Sequence, residues 1–506
     1  MLMNSLDAEV AEQPQLLVVN GSSGKAARNW ECYAAIRQAL QTLNSDETLL
    51  VQSGQPADVI KTHPGVPRVL LADIELERMQ PNEEKFQALE RGGLLSRWRL
   101  TTAAWTATGP QGILPTLDET LATVASRHFN GDLSGKWVVA GGMGGAGGAQ
   151  PLAATLNGAA FLGIEADGER ILRRVRAGYC DICVNHLDEA IRLMKNAVRQ
   201  RRALSVGLIG NCAEVLPELA RRGMVPDILA DWTLAHGQLQ AYIPAGMNAA
   251  EAPGHYRKDP DTYLKRAYES VAEHASAMLE FKKLGSLTFE FGNYLRAIAY
   301  AEGGVKNAFD IPGFASEYLP SISNKGRGPL RWVALSGERA DIRLVDDLLV
   351  DLFPDDLPLL RWIRLAATRV RFEGLPGRAC WLSEEQQRLL GVRINELVSQ
   401  GHLKAPFVIT PDHFDCSRAV RPASLAEARG RDVVNEESLL NALLAADSGA
   451  VWVSLQSGGA SGGRDALNAS HALVADGTPQ MAGRIERVLS LNFARGILRY
   501  HDAGSV

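Results

Sequence analysis

A segment in the first half of the chain, residues 136–165, constrains the fold more than any other part of the sequence. It reads KWVVAGGMGGAGGAQPLAATLNGAAFLGIE. The apolar run 137–140 contains two β-branched valines and predicts a buried strand. Residues 141–148 include six glycines in eight positions, and the Ala- and Leu-rich residues 149–160 predict a helix. Residues 161–165 predict a second strand that ends in an acid, so the order strand, glycine loop, helix, strand predicts a βαβ unit.

The glycine loop has the spacing of a dinucleotide-binding motif. Gly142, Gly144 and Gly147 satisfy G-x-G-x-x-G, and Glu165 lies 18 residues beyond Gly147. Glycine lets a ligand approach the backbone, and the N–H groups at a helix N-terminus favour pyrophosphate. A flexible glycine-rich linker is the alternative, but it would not need the flanking strands or the terminal acid. The sequence therefore predicts a dinucleotide site with Glu165 at the adenosine ribose.

The charge beside the ribose bears on the choice between NAD and NADP. Glu165 would repel a 2′-phosphate, which favours NAD. The nearby Arg170, Arg173 and Arg174 weaken this preference.

Strand and helix patterns alternate through the middle of the chain. They predict a helix at 187–201, a strand at 204–209, a helix at 213–222 and a strand at 226–231. Such alternation predicts a parallel, doubly wound sheet whose ligand lies beyond the carboxyl ends of the strands. We therefore expect Asn211, Cys212 and the segment 232–236 beside the same cofactor. His236 could act as a base, but a single histidine after a strand is more often a structural hydrogen-bonding residue.

Turn-rich segments at Gly109–Gly112 and 313–329 suggest two domain boundaries. The predicted domains are residues 1–108, 109–318 and 319–506.

Two further glycine-rich segments follow predicted strands. Residues 16–19 predict a strand that runs through NGSSGK into a helix at 26–40. This junction could bind a phosphate or a ring edge, or it could be an ordinary turn, and it lacks the Ser or Thr that follows the Lys of a P-loop. Near the C-terminus, VWVSLQ predicts a strand that leads into a second glycine-rich loop at 458–463.

Composition excludes several classes of function. An apolar fraction of 46% with 22% charged residues is ordinary for a globular protein. A net charge of -5 argues against nucleic acid as a partner. No apolar run approaches the roughly 20 residues of a membrane span. Six cysteines in 506 residues do not suggest a disulfide framework, so we expect a cytoplasmic protein.

The cysteines give no independent indication of a metal site. Cys180 and Cys183 form a CxxC pair, but no second pair follows at zinc-finger spacing, so we interpret the pair as incidental and predict no metal. From its apolar surroundings alone, Cys380 is a buried packing thiol.

Three long motifs resemble the urocanase family, the urocanate hydratases. They are GGMGGAGGAQPLAATLNGA, SVGLIGNCAEVLPELARRG and GLPGRACW, and the likeness extends from about residue 10 to residue 504. The resemblance implies an α/β fold with a central Rossmann-like, doubly wound NAD-binding domain, inserted between N- and C-terminal α/β parts that pack together. It also implies a homodimer.

The family's chemistry is implied by the same resemblance. Tightly bound NAD⁺ acts as an electrophile and is not consumed, while water is added to an imidazole acrylate to give an imidazolone-propionate-type product. The protein supplies orientation and proton transfer.

The resemblance places site residues by position. The cofactor contacts are Gly21, Ser22, Arg99, Gly145, Ala146, Gly147, Glu165, Arg170, Asn211, Cys212, Trp232, Thr233, Leu234, Ala235, His236, Tyr242, Ile243, Phe291 and Ala460. Cys380 matches the family's active-site cysteine. Arg331 is our candidate for binding the substrate carboxylate, because a guanidinium pairs with a carboxylate through two hydrogen bonds. Asn20 and Gln456 are further substrate candidates, and Asp412 is the candidate for proton transfer.

Several of these positions depart from the family pattern. Asn20-Gly21-Ser22 replaces Tyr-Gly-Gly, WTLAH at 232–236 replaces Gln-Thr-Ser-Ala-His, Phe291 replaces Tyr, Arg99 replaces Gln, NKGRG at 324–328 replaces Cys-Arg-Gly-Ile-Gly, and QSGGA at 456–460 replaces His-His-Gly-Gly-Gly. Because the changes cluster at expected ligand contacts, they favour a ring-modified urocanate. S-methyl thiourocanate, thiourocanate and an N-methylurocanate are the candidates.

Three alternatives remain. The chain could be an ordinary urocanate hydratase of histidine degradation. An NAD-dependent dehydrogenase would use the same glycine loop, and an inactive NAD-binding regulator would keep the loop without the site.

Overall fold

The computed structural model describes residues 1–20, 24–72, 102–235, 242–291, 295–318, 326–411, 433–459 and 463–501. The chain divides into two compact units. The first comprises Met1–Gly112, Lys325–Ala367 and Phe372–Val506, and the second comprises Ile113–Asn324 and Thr368–Arg371. Within the described residues, no helix is both long enough and apolar enough to span a membrane.

The elements follow in chain order. The strands are β1 (Val18–Asn20), β2 (Gly24–Lys25), β3 (Glu47–Gln52), β4 (Gln55–Lys61), β5 (Val69–Ala72), β6 (Trp137–Gly141), β7 (Ala160–Glu165), β8 (Ile182–Val184), β9 (Leu204–Ile209), β10 (Ile228–Asp231), β11 (Leu287–Glu290), β12 (Arg327–Ala334), β13 (Gly377–Ser383), β14 (Phe407–Pro411), β15 (Trp452–Gly459) and β16 (Gly463–Ala475). The helices are α1 (Trp30–Thr42), α2 (Thr102–Trp105), α3 (Leu114–His128), α4 (Gln150–Leu156), α5 (Gly168–Arg176), α6 (Leu187–Arg199), α7 (Cys212–Arg221), α8 (Ala252–Lys258), α9 (Pro260–Lys283), α10 (Leu295–Ala301), α11 (Phe314–Glu317), α12 (Arg339–Leu352), α13 (Leu357–Arg369), α14 (Glu384–Ser399), α15 (Val433–Asp447) and α16 (Pro479–His501).

The first unit is built on a mixed sheet of eight strands. Their order is β13-β12-β14-β16-β15-β5-β3-β4. Strand β5 pairs in parallel with β15 and with β3, and the other neighbours are antiparallel. Since β3–β5 precede the second unit in the chain and β12–β16 follow it, the N- and C-terminal parts pack together in one sheet.

The second unit is built on a parallel sheet of six strands. Their order is β11-β10-β6-β7-β9-β8, and every neighbouring pair is parallel. From β6 the chain continues to β7 and then to the edge strand β8, and β9 returns to lie between β7 and β8. Strands β10 and β11 lie on the other side of β6. The predicted doubly wound, Rossmann-like sheet is confirmed, and its topological switch point lies between β6 and β10.

The central strands of this sheet are fully buried, as is typical of a parallel sheet covered on both faces. All residues of β6, β7 and β10 are buried, and the only charged ones are the last residues of β7 and β10, Glu165 and Asp231. Helices α6, α7 and α9 contribute residues to the same core.

Two elements near the ends of the chain differ from the prediction. The N-terminal strand is β1, which pairs antiparallel with β2 (Gly24–Lys25), so a second strand and not a helix follows the predicted loop. Helix α1 begins at Trp30 and not at residue 26, because the Asn29 side chain accepts a hydrogen bond from the Cys32 N–H at 2.7 Å and caps it. Near the C-terminus, Gly458 and Gly459 end β15, and Gly463 begins its antiparallel partner β16.

The helix after the glycine loop is shorter than predicted. A 3-10 turn at Gly147–Ala149 precedes α4, which ends at Leu156. Gly158 has φ +86, a left-handed backbone that glycine adopts readily and that ends the helix before β7. Because α4 has only 7 residues, the dipole of this helix is correspondingly small.

Candidate functional site

The glycine loop packs tightly against the segment that follows β10. A Cβ on Gly141 would lie 2.2 Å from Asp231 Oδ1, and a Cβ on Gly142 would lie 2.5 Å from Trp232 O. Gly142 also has φ +79, which disfavours any side chain. A Cβ on Gly147 would lie 2.3 Å from Gly142 O. These glycines are therefore required by the packing of the loop itself, in addition to any ligand.

Glu165 holds the glycine loop in place. Its Oε2 accepts a hydrogen bond from the Met143 N–H at 2.9 Å, and its Oε1 accepts one from the Asp167 N–H at 3.1 Å. Arg170 Nη1 lies 3.6 Å from Oε1. A carboxylate has about four acceptor positions, so Glu165 can still accept hydrogen bonds from ribose hydroxyls.

A cleft opens at the carboxyl edge of the parallel sheet. Eight of the predicted cofactor residues line it: Glu165, Arg170, Asn211, Cys212, Thr233, Leu234, Tyr242 and Ile243. The lining also includes residues beyond our predicted set: Gly142, Ile164, Ala166 and Gly210. The mixture of a few polar groups with aliphatic walls is typical of a small-molecule site.

Asn211 joins two walls of the cleft. Its Oδ1 accepts a hydrogen bond from the Ala213 N–H at 2.9 Å and so caps α7, and its Nδ2 donates to Ile243 O at 2.7 Å. Cys212 follows and is buried, and burial raises the pKa of its thiol well above the ordinary value. Cys212 is therefore a neutral lining residue.

A buried polar cluster lies behind the cleft. The Thr233 hydroxyl donates to Asp231 Oδ1 at 2.7 Å, and the Thr233 N–H donates to Asp231 Oδ2 at 3.2 Å. His274 Nε2 lies 3.4 Å from Asp231 Oδ1, and His274 Nδ1 lies 3.4 Å from the Tyr242 hydroxyl. Sequence reasoning missed Asp231 and His274 as site residues. An acid at the carboxyl end of β10 was the available signal for Asp231, whereas His274 carries no local signal.

Burial sets the protonation of this cluster. It raises the pKa of Asp231 to about 6, although both hydrogen bonds from Thr233 oppose the shift. It lowers the pKa of His274 to about 3, so this imidazole is neutral near pH 7.

Among the described residues, three side chains of types that bind metals lie close together. They are Cys212, Asp231 and His274, and their possible ligand atoms lie within 4.8 Å of one another. A zinc ion would need the Cys212 thiolate, which burial and the neighbouring Asp231 disfavour. The absence of a metal remains our prediction.

Trp232 and Phe291, two of the residues that depart from the family pattern, contact each other. Their rings stack with centroids 4.8 Å apart and planes 19° from parallel. Both residues directly follow neighbouring strands, and they are 4% and 2% exposed. They pack behind the cleft and do not line it. The same is true of the fully buried Ala235.

Other predicted residues lie in the loop or outside the described residues. Gly145 and Ala146 belong to the glycine loop, directly before the 3-10 turn that begins at Gly147. The residues outside the described part of the chain are Gly21, Ser22, Arg99, His236, Asp412 and Ala460. Asn20 and Gln456 lie in β1 and β15, and their side chains are likewise not described.

Cys380 and Arg331 lie in the first unit on neighbouring strands. Cys380 pairs with Leu330, and Arg331 pairs with Ala379. Opposite residues of an antiparallel pair share a face and successive residues alternate, so Cys380 and Arg331 lie on opposite faces of the sheet. The structure thus does not bring these two candidates together, and their roles remain predictions.

Both side chains are enclosed. Burial, with a smaller effect of Asp346, raises the pKa of the Cys380 thiol far above its ordinary range. Arg331 is 3% exposed, and its guanidinium lies 3.4 Å from each of the Thr106 and Thr108 hydroxyls.

The CxxC pair lies beneath the glycine loop. Cys180 packs with Met143 and Ile171, and burial raises its pKa to about 12. Cys183 packs against the same cluster. These contacts agree with a packing role for the pair.

The cleft of the second unit has the types of residue that a dinucleotide site needs. Gly142 of the glycine loop, the Glu165 carboxylate and the aliphatic side chains of Ile164, Leu234 and Ile243 all line it.

Comparison with known families gives three contiguous matches. Residues 1–106 match the urocanase N-terminal domain, residues 109–318 the urocanase Rossmann-like domain, and residues 321–506 the urocanase C-terminal domain. Only positions 107–108 and 319–320 lie outside the matched segments. The chain therefore belongs to the urocanase family and is an enzyme of the urocanase-type hydratase class.

Proposed function

We propose that this hydratase adds water to a ring-modified urocanate, with NAD⁺ held in the cleft of the second unit and not consumed. The observation that carries the proposal is the cleft itself. It lies beyond the carboxyl ends of β7, β9 and β10, with Glu165 on one wall and Thr233 and Leu234 on another.

The residues of the cleft would hold the cofactor as follows. The backbone of the glycine loop would bind the pyrophosphate, Glu165 would accept from the ribose hydroxyls, and Arg170 would keep the Glu165 carboxylate oriented. Leu234 and Ile243 would exclude water from the ring side of the cleft. When bound, NAD⁺ supplies the electrophilic nicotinamide on which the family's chemistry depends.

The catalytic assignments are part of the same proposal. Because burial keeps the Cys380 thiol neutral, a role as a thiol donor fits its surroundings better than a role as a thiolate nucleophile. Arg331 would bind the substrate carboxylate once its enclosed guanidinium becomes accessible. Asp412 would transfer the proton.

The substrate preference rests on the loss of polarity at the family's contact positions. Leu234 lines the cleft where the family has Ser. Trp232 and Phe291 stack behind it where the family has Gln and Tyr. Aliphatic and aromatic replacements remove hydrogen-bonding groups, which supports an imidazole with an added methyl or sulfur substituent over plain urocanate.

A spectrophotometric assay without added cofactor tests the proposal. Purified protein is mixed with urocanate, thiourocanate, S-methyl thiourocanate or an N-methylurocanate, and the loss of the conjugated-substrate absorbance is followed. We expect turnover of one modified compound and little or none of urocanate. The protein is also denatured and the released dinucleotide identified, which should be NAD⁺.

The other outcomes are distinct. Rapid turnover of urocanate would establish an ordinary hydratase of histidine degradation and would overturn the substrate preference. Accumulation of reduced-nicotinamide absorbance would instead indicate a dehydrogenase. Light scattering of the same sample tests the homodimer, which the resemblance supports.

A further inference from the structure

One face of α9 contacts the segment that begins at Tyr242, and this segment forms one wall of the cleft. Tyr263, Arg266 and Ser270 are spaced by three and four residues and so share this face. The Tyr263 hydroxyl donates to Tyr242 O at 3.0 Å. Arg266 Nη2 donates to Ala245 O at 3.0 Å, and the Ser270 hydroxyl accepts from the Ala245 N–H at 2.9 Å. The backbone from Tyr242 to Ala245 is thus attached to α9 at three points.

The fourth residue of this face, His274, reaches the other wall as well. It lies four residues after Ser270 and is 1% exposed. Its Nδ1 lies 3.4 Å from the Tyr242 hydroxyl, and its Nε2 lies 3.4 Å from Asp231 Oδ1. Nε2 makes no hydrogen bond of good geometry within the described residues, so its approach to Asp231 is a close polar contact at 3.4 Å.

Asp231 completes the connection. It accepts from both the N–H and the hydroxyl of Thr233, which lines the cleft. Tyr242, at the other end of the chain of contacts, lines the cleft too. The path Thr233–Asp231–His274–Tyr242 therefore runs behind the cleft from one wall to the other.

The protonation states suit this arrangement. A neutral imidazole with its proton on Nε2 presents a donor to Asp231 and an acceptor to the Tyr242 hydroxyl. Because the carboxylate is fully buried, its interactions are weakly screened and their loss is costly.

We infer that Asp231 and His274 are positioning residues that couple the two walls of the cofactor cleft and thereby set how long NAD⁺ stays bound. This inference rests on the proposed use of NAD⁺, and neither side chain needs to touch the cofactor.

A double-mutant cycle on cofactor release tests the coupling. The dissociation of NAD⁺ from the purified full-length protein is followed by exchange against excess isotopically labelled NAD⁺. Asp231→Asn and Tyr242→Phe should each accelerate release by about tenfold, since each removes one buried polar contact. The double variant should be no more than about twofold faster than either single variant, because both changes break one path.

The role of His274 is tested in the same way. His274→Leu removes both contacts and should reproduce the faster release. The further change Tyr242→Phe should then add little, because only the 3.4 Å contact between the Tyr242 hydroxyl and Ser270 O is left to remove. If the Leu variant does not fold, His274→Gln keeps a donor towards Asp231, and it should give an intermediate rate. The control is Thr288→Val, which removes a buried hydroxyl from β11 that donates to Ser286 O and should leave release unchanged.

The failures can be told apart. Absence of NAD⁺ from the wild-type protein would overturn the proposed function. Wild-type release rates in Asp231→Asn and Tyr242→Phe, or effects that multiply in the double variant, would overturn the coupling alone. So would one equivalent of a transition metal in the purified protein that is lost in His274→Gln, because the cluster would then be a metal site.

Discussion

Burial shifts the pKa values of two neighbouring residues, Asp231 and His274, in opposite directions. The folded-state pKa of Asp231 is about 6 against an ordinary 3.8, so the folded chain binds more protons and this residue's contribution to stability increases as the pH falls from 6 towards 4. The folded-state pKa of His274 is about 3 against an ordinary 6.5, so its contribution decreases as the pH falls below 6.5. Between about pH 4 and pH 6 the two residues oppose each other.

Replacing one of the two residues should reveal the pH dependence of stability that the other contributes. In His274→Gln the loss below pH 6.5 disappears, so relative to wild type the variant should gain about 2 kcal/mol between pH 7 and pH 5. Asp231→Asn should change in the opposite direction. Thermal unfolding midpoints at the two pH values measure both, and offsets from wild type that do not vary with pH would contradict the assignment.

The charge of Glu165 should decide between the two dinucleotides. In Glu165→Gln, NAD⁺ affinity should fall about tenfold, because the amide has one acceptor oxygen for the loop and the ribose together. NADP⁺ affinity should fall less, since the repulsion of the 2′-phosphate is removed. Calorimetric titration of cofactor-depleted protein measures both.

A matched control lies on the following helix. Glu169 is an exposed acid of α5, with 76% of its side chain accessible, and Glu169→Gln should leave both affinities unchanged. Equal losses for NAD⁺ and NADP⁺ in Glu165→Gln would mean that the carboxylate acts only by holding the loop.

At the level of elements, the glycine loop and the segment after β10 depend on each other. Gly142 has both a left-handed backbone and a backbone carbonyl 2.5 Å from the position of an added Cβ. Gly131 has a similar backbone, with φ +83, but nothing within 4 Å of an added Cβ. Comparing substitutions at these two glycines therefore separates the cost of backbone strain from the cost of a steric clash.

Alanine at these two positions should therefore have unequal effects. Gly131→Ala should cost about 1 kcal/mol from the backbone alone. Gly142→Ala should cost roughly 1–3 kcal/mol more and should release NAD⁺, because the clash displaces the loop or the Trp232 backbone. Unfolding midpoints and the cofactor content of the purified proteins measure this, and equal destabilisation would show that the contact at Gly142 is readily relieved.

Elements defined by local patterns were predictable. The order β6, glycine loop, α4, β7 follows from an apolar run, glycines and an alanine-rich stretch that lie next to one another in the chain. The antiparallel pairings of β1 with β2 and of β15 with β16 were not predictable, since they depend on backbone hydrogen bonds that residue type does not specify. The early end of α4 depends on the backbone of Gly158, which composition alone did not reveal.

At the level of the whole molecule, the two units differ in how their sheets are assembled. All six strands of the second unit come from one continuous stretch of chain. In the first unit, β5 lies between β3 and β15, and Trp452 of β15 packs against the core formed by the N-terminal segment. The N-terminal part therefore needs residues more than 300 positions away to complete its sheet and core.

Fragments should reflect this difference. A fragment of residues 113–324 should keep the circular dichroism of a folded α/β protein and bind NAD⁺. A fragment of residues 1–112 should not unfold cooperatively, because β5 would lose its β15 partner and expose apolar surface. Cooperative thermal unfolding of the second fragment would contradict the interdependence.

The sequence alone determined the Rossmann-like sheet, the glycine loop with Glu165, and the membership of one family across the chain, because each is encoded by neighbouring residues. Only the tertiary structure decided that His274 joins Asp231 and Tyr242, that Glu165 holds the loop, and that Cys380 and Arg331 lie on opposite faces of one sheet. These relations depend on contacts between residues far apart in the chain and on strand register. Spacing in the sequence carries no information about either until the chain has folded.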